Sequence, residues 1–210
     1  MTDQTPNVLG WRALSALPTH YRPVRRIEID SFQVMFWLNI GGFVLIGVGV
    51  FIFGLLERTL PREGNNPLLG VTPLGMVALF VIGFVIMLTI HELFHGLGFS
   101  LFGAQPRYGV SLRKGVAFAS AAHMYLPRSA YLVVALLPLV GISLISILIL
   151  PLVSGETRTL VILIAAANVG GAVGDLWFTY ICLRMPASLL IRDFGEGAEL
   201  FLPVSGQSEA

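Results

Sequence analysis

The chain has 210 residues, 55% of them hydrophobic and only 12% charged, with a mean hydropathy of +0.82, a composition that excludes an ordinary soluble globular domain and belongs in a bilayer. Its single cysteine, Cys182, excludes an intramolecular disulfide and a cysteine-based zinc cluster. The net charge of +1 says little about partners, whereas the placement of the charges is informative.

Residues 1–31 are polar and carry Arg12, Arg22, Arg25 and Arg26, which reads as a basic cytoplasmic segment. Four apolar runs follow, at 32–56, 74–102, 130–153 and 160–182, each near or above the roughly 20 residues needed to cross a hydrocarbon core of about 30 Å. The first has no small-residue cleavage site at its end, so it is read as an anchor and not as a removed signal peptide. The connectors "PREGNNP" and "VSGETRT" read as turns. The loop between the second and third runs is different: two alternating segments, 107–112 and 116–120, flank Arg113, Lys114 and Gly115, the pattern of a β-hairpin. Residues 183–210 read as a solvated cytoplasmic tail, because the two glycines of "DFGEGAE" discourage a helix through Asp193, Glu196 and Glu199. Arginine and lysine favour one side. The N-terminal arginines, Arg107, Arg113, Lys114, Arg128, Arg184 and Arg192 lie there, against Arg58, Arg62 and Arg158 on the other. That bias places both termini and the central loop in the cytoplasm. The expected fold class is an all-α integral membrane protein of four transmembrane helices, with a β-hairpin between the second and third.

Tyrosine and the thiol aside, only His91, Glu92, His95 and Asp175 are ionisable inside the four runs. Each costs on the order of 2.5 to 3.5 kcal/mol to insert, so such groups face a partner, a bundle interior or a water-filled site. In "MLTIHELFHGLGF" the two histidines are four apart, which sets their imidazoles on one helix face with Cβ atoms about 5 to 6 Å apart. This is the H-E-x-x-H spacing that grips Zn²⁺, and Glu92 is placed to act as general base on a water at the metal without being a ligand. Asp175 is the candidate third ligand. It and His91 each lie about 15 to 17 residues into spans running the same way, hence at similar depths of about 22 to 26 Å. Asn168, Gly171, Ala172 and Asp175 share a small, polar face, and Gly170 with Gly174 has the G-x-x-x-G spacing of close helix packing. Asn168 is a candidate catalytic residue, as a donor to a developing oxyanion, or else an interhelical hydrogen bonder. His123, at the end of the hairpin loop, is the alternative third ligand. The extended pattern H-E-x-x-H-x-x-G-x-x-H is followed as far as Gly98 but has Leu101 in its last place, which excludes the metzincin arrangement.

The segments "HELFHG", "LFGAQPRYG" and "NVGGAVGD" resemble the membrane-embedded zinc metallopeptidases of the site-2 protease type, and more closely a short four-span bacterial family of zincin peptidases. The likeness covers about residues 74–182. It implies His91, His95 and Asp175 as zinc ligands, Glu92 as catalytic base and the hairpin after Gly103 as a substrate-aligning edge. Asp175 is followed by Leu176 here, where site-2 proteases have glycine. The expected function is a membrane zinc metallopeptidase whose partners are the bilayer and a membrane or membrane-proximal peptide, with no nucleic acid. The alternative is a non-catalytic metal-binding membrane protein, such as a transporter component or an assembly factor.

Overall fold

A computed structural model describes residues 10–29, 31–61, 64–111 and 116–204. Four helices are long and apolar enough to cross a membrane. The first, α1 (Phe32–Glu57), starts where the Ser31 side chain accepts from the Val34 N–H; the second, α2 (Pro73–Leu101), starts at Thr72 with Pro73 in its first turn. Both openings satisfy backbone donors that the helix itself leaves unpaired. The third span is α3 (Arg128–Ile149), extended by a 3-10 turn over Leu150–Leu152. The fourth, expected as one helix, is broken at Ala172 into α4 (Gly155–Gly171) and α5 (Val173–Leu183). Helix α1 lies against α4, α2 against α3 and α4, and α3 against α4 and α5.

The expectation of an all-α chain is overturned. Helix accounts for 58% of the structure and strand for 17%, and the strands include a four-stranded antiparallel sheet. The hairpin between the second and third spans is present as β2 (Arg107–Ser111) paired with β3 (Val116–Ser120); its turn residues Arg113, Lys114 and Gly115 lie outside the described residues. The sheet that was not expected joins the two ends of the chain. Strand β1 (Tyr21–Glu28) pairs with β6 (Gly197–Pro203), β6 with β5 (Leu190–Asp193), and β5 with the two-residue β4 (Leu126–Pro127), in the order β1-β6-β5-β4.

Of the supposed solvated tail, residues 183–204 are therefore part of the folded body. Its strands are short, so no long apolar run announces them, yet Leu190, Ile191, Ala198 and Leu200 are completely buried, and because neighbours along a strand point opposite ways, both faces of the sheet are covered there. Ile191 and Leu200 join Phe99 of α2, Val134 of α3 and Phe178 of α5 in the largest core cluster. Strand β1 hides Tyr21 and Ile27 under an arginine-rich outer face. It is an edge strand, where Pro23 is tolerated beside a bulge. Of the three acids, Glu199 pairs with Arg26 at 2.9 Å and with Arg192, and Asp193 and Glu196 flank the β5–β6 turn.

Candidate metal centre

One buried face of α2 carries the site. His91 and His95 are four residues apart, and their rings stand 5.0 Å centroid to centroid at 74°. The Asp175 carboxylate, in the first turn of α5, presents one oxygen to each: Oδ2 is 3.2 Å from His91 Nε2 and Oδ1 is 3.3 Å from His95 Nε2. Glu92 stands beside them, so that one ligand atom from each of His91, Glu92 and His95 lies within 4.8 Å of the others. Ala119 of β3 lines the same cavity as Glu92.

The opposite nitrogen of each imidazole is already engaged. His91 Nδ1 is 3.0 Å from Asn168 Oδ1, and His95 Nδ1 is 3.0 Å from the Val134 carbonyl oxygen. Carbonyl oxygens only accept, so each Nδ1 carries the proton and each Nε2 lone pair faces Asp175. Val134 has its carbonyl to spare because Pro138, four residues on in α3, has no N–H to give it. Asn168 is completely buried behind His91 and does not line the cavity in front of the histidines. It and Asp175 sit seven residues apart, about 10 Å of helical rise, and they grip the two ends of one imidazole across the break at Ala172.

These residues suit a zinc ion. Bonds of about 2.0 Å in a tetrahedral arrangement keep neighbouring ligand atoms about 3.3 Å apart, which is the spacing of the Asp175 oxygens from the two Nε2 atoms. Hydrogen bonds from Nδ1 to carbonyl oxygens are the usual way a ligating imidazole is oriented. Two nitrogens and a carboxylate form a familiar zinc donor set, and Glu92 is near enough to serve beside it.

The cavity in front of the histidines has a volume of about 190 Å³. Glu92 and Asp175 line it, and so do Tyr131, Asp193 and Glu196, none of which the sequence reading assigned to the site. The Tyr131 hydroxyl donates to Asp193 Oδ2 at 3.0 Å, and burial raises the Asp193 carboxyl from 3.8 to about 6. Tyrosine is common in apolar runs, and Asp193 was masked by its glycine-punctuated surroundings; only two short segments with apolar residues, 190–193 and 198–202, around a glycine-bearing link could have signalled a hairpin. His123, the alternative ligand, is exposed and does not line the cavity. Gly171 and Gly174 do line it, with no neighbour where a side chain would project, whereas Gly170 faces α1, where a Cβ would lie 2.8 Å from the Gly42 carbonyl oxygen. Of the G-x-x-x-G pair, then, only Gly170 serves close packing.

No curated protein and no solved structure matches the chain. Residues 84–190, just over half of its length, match the family described as "Putative zincin peptidase", and the matched segment contains all of His91, Glu92, His95, Asn168 and Asp175. The chain belongs to that zincin peptidase family, a membership that implies zinc and metallopeptidase activity.

Proposed function

We propose that this protein is a membrane-embedded zinc metallopeptidase, with His91, His95 and Asp175 holding the metal and Glu92 acting as general base. The observation that carries the reading is the Asp175 carboxylate offering one oxygen to each Nε2 at ligand spacing, 3.2 and 3.3 Å. When bound, zinc supplies Lewis acidity that polarises the scissile carbonyl and makes a water acidic enough to ionise near neutral pH. Glu92 takes a proton from the attacking water as the water oxygen bonds to the carbonyl carbon. The C–N bond then breaks, and Glu92 returns that proton to the leaving nitrogen, so one water is consumed and an amine and a carboxyl group are released. Asn168 and the Val134 carbonyl act through the imidazoles, keeping each Nε2 aimed inward. The hairpin β2–β3 packs on α2 beside Glu92, and an extended peptide laid along it would present its backbone to the base.

Four apolar helices support placement in a bilayer, and the pairing of β1 with β6 puts both terminal segments at one end of the bundle. The arginine bias of that end favours the cytoplasm. The test is metal content and peptide cleavage in purified wild type, His91→Ala, Asp175→Ala and Glu92→Gln. Zinc is expected to be lost in the first two variants and kept in the third, with cleavage lowered in Glu92→Gln by about 10² to 10⁴, the usual contribution of a general base. Full zinc occupancy with no cleavage difference between Glu92→Gln and wild type would instead identify a metal-binding protein without turnover, and undiminished zinc in Asp175→Ala would remove that residue from the ligand set.

A further inference from the structure

Part of the catalytic cavity is built by chain outside the family match. Ile29, Asp193, Gly195 and Gly197 line it, brought there by the terminal sheet. The β5–β6 turn is held in place from several directions. Asp193 Oδ1 accepts the Gly195 N–H at 2.8 Å, the Ile29 N–H donates to the Glu196 carbonyl at 3.1 Å, and the Arg26 guanidinium lies 5.0 Å from the Phe194 ring centre.

Phe118 of β3 is wedged against this turn. A Cβ on Gly195 would come within 2.2 Å of its ring, and one on Gly109, its cross-strand partner, within 2.5 Å. Gly195 also has φ +88, so both space and backbone require glycine there. The ring consequently bridges the hairpin and the terminal sheet. It also forms a wall shared by two spaces: the catalytic cavity and a polar groove of about 330 Å³ bordered by Arg26, Glu28, Phe194 and Glu196. Two apolar grooves open towards lipid, one between α1 and α5 and one among α2, α3 and α4. Neither shares a lining residue with the catalytic cavity.

A cavity of about 190 Å³ is below the roughly 300 Å³ at which ligand pockets begin. Admitting a peptide requires a wall to move; Phe118 and Glu196 are the residues that border both the cavity and the groove, and of the two Phe118 is the ring wedged between the hairpin and the β5–β6 turn. We propose that the substrate reaches the metal centre from the aqueous side, as an extended polar segment seated in the groove between β1 and the β5–β6 turn and admitted by displacement of Phe118, and not sideways from lipid between the spans. The proposal rests on the peptidase reading of the cavity and names the substrate class: membrane-proximal, water-exposed peptide.

The route can be read without any cleavage assay. A single thiol is placed in the cavity wall as Ala135→Cys in a Cys182→Ala background; the metal is stripped with a chelator, the protein is held in lipid nanodiscs, and labelling by a charged, membrane-impermeant methanethiosulfonate is timed. Phe118→Ala is expected to speed labelling about tenfold, as for removal of a side chain that limits a local opening. Phe118→Trp, which keeps a ring between the glycines and so guards against a simple packing loss, is expected to slow it. Trp37→Ala, which widens the apolar groove between α1 and α5, is expected to leave the rate unchanged. Labelling indifferent to both Phe118 variants, or accelerated by Trp37→Ala, would overturn the route. Labelling that follows residue 118 supports the route even if no peptide is cut, and peptide cleavage with labelling indifferent to residue 118 overturns the route while leaving the peptidase reading intact.

Discussion

The chemistry of the site depends on which nitrogen each histidine turns inward. The spacing of His91 and His95 and the matched depth of Asp175 were legible in the sequence because helical periodicity fixes which residues share a face and how far along the axis they lie. Periodicity says nothing about the far side of an imidazole, so the role of Asn168 was not legible: the choice between oxyanion donor and interhelical bond needed the 3.0 Å contact to His91 Nδ1. The Nδ2 of Asn168 is buried with no partner among the described residues, a cost that packing alone would not justify and that orientation of a ligand does. Asn168→Ala should therefore keep all three proposed ligands yet weaken zinc by about 10- to 100-fold, the typical effect of losing an orienting partner. Competition against a chromophoric chelator measures it, and unchanged affinity would remove Asn168 from the site. Gly174 makes the complementary case. With no atom near where its side chain would project, Gly174→Leu should fill the cavity, leaving zinc bound while peptide cleavage is lost. Loss of zinc in that variant would mean that the glycine serves the helix and not the cavity.

At the scale of single elements, hydropathy located the four helices long and apolar enough to cross a bilayer, because such a helix must be apolar over most of its length. What hydropathy does not register is a helix serving a neighbour through a missing bond. Pro138 sits buried inside α3, where proline costs a helix interior about 3 kcal/mol relative to alanine. Its lack of an N–H leaves the Val134 carbonyl for His95. Replacing it should move two observables in opposite directions. In Pro138→Ala the restored N–H competes for the Val134 oxygen, so zinc affinity should fall several-fold, while the metal-free protein unfolds at the same temperature as wild type or higher. Thermal unfolding with and without zinc separates the two effects, and a parallel loss of both would mean that Pro138 only fills space. The break at Ala172 was equally silent in the sequence, since "NVGGAVGD" is apolar and small enough to continue a helix or to end one.

At the scale of the whole molecule, the error was to read both ends as independent of the helical body. Charge hid β1, because Arg22, Arg25 and Arg26 dominate a strand whose Tyr21 and Ile27 are buried, and two glycines hid a hairpin turn between β5 and β6. The sheet they form is docked on the bundle partly through Asp193, which joins the β5–β6 turn at Gly195 to α3 at Tyr131. That junction makes stability respond to pH with a definite sign. Burial raises the Asp193 carboxyl from 3.8 to about 6, so between those values the folded protein holds a proton that the unfolded chain has released. The stabilisation is complete below about pH 4 and is lost as pH rises through about 6. Asp193→Asn, neutral throughout and still able to accept from Gly195, should lack this component. Thermal unfolding of chelator-treated protein in detergent, which keeps loss of zinc in acid out of the comparison, should show the wild-type midpoint falling more steeply than that of Asp193→Asn across this window. Equal slopes in the two proteins would mean that the carboxyl is solvated and that the terminal sheet does not close over the site as described.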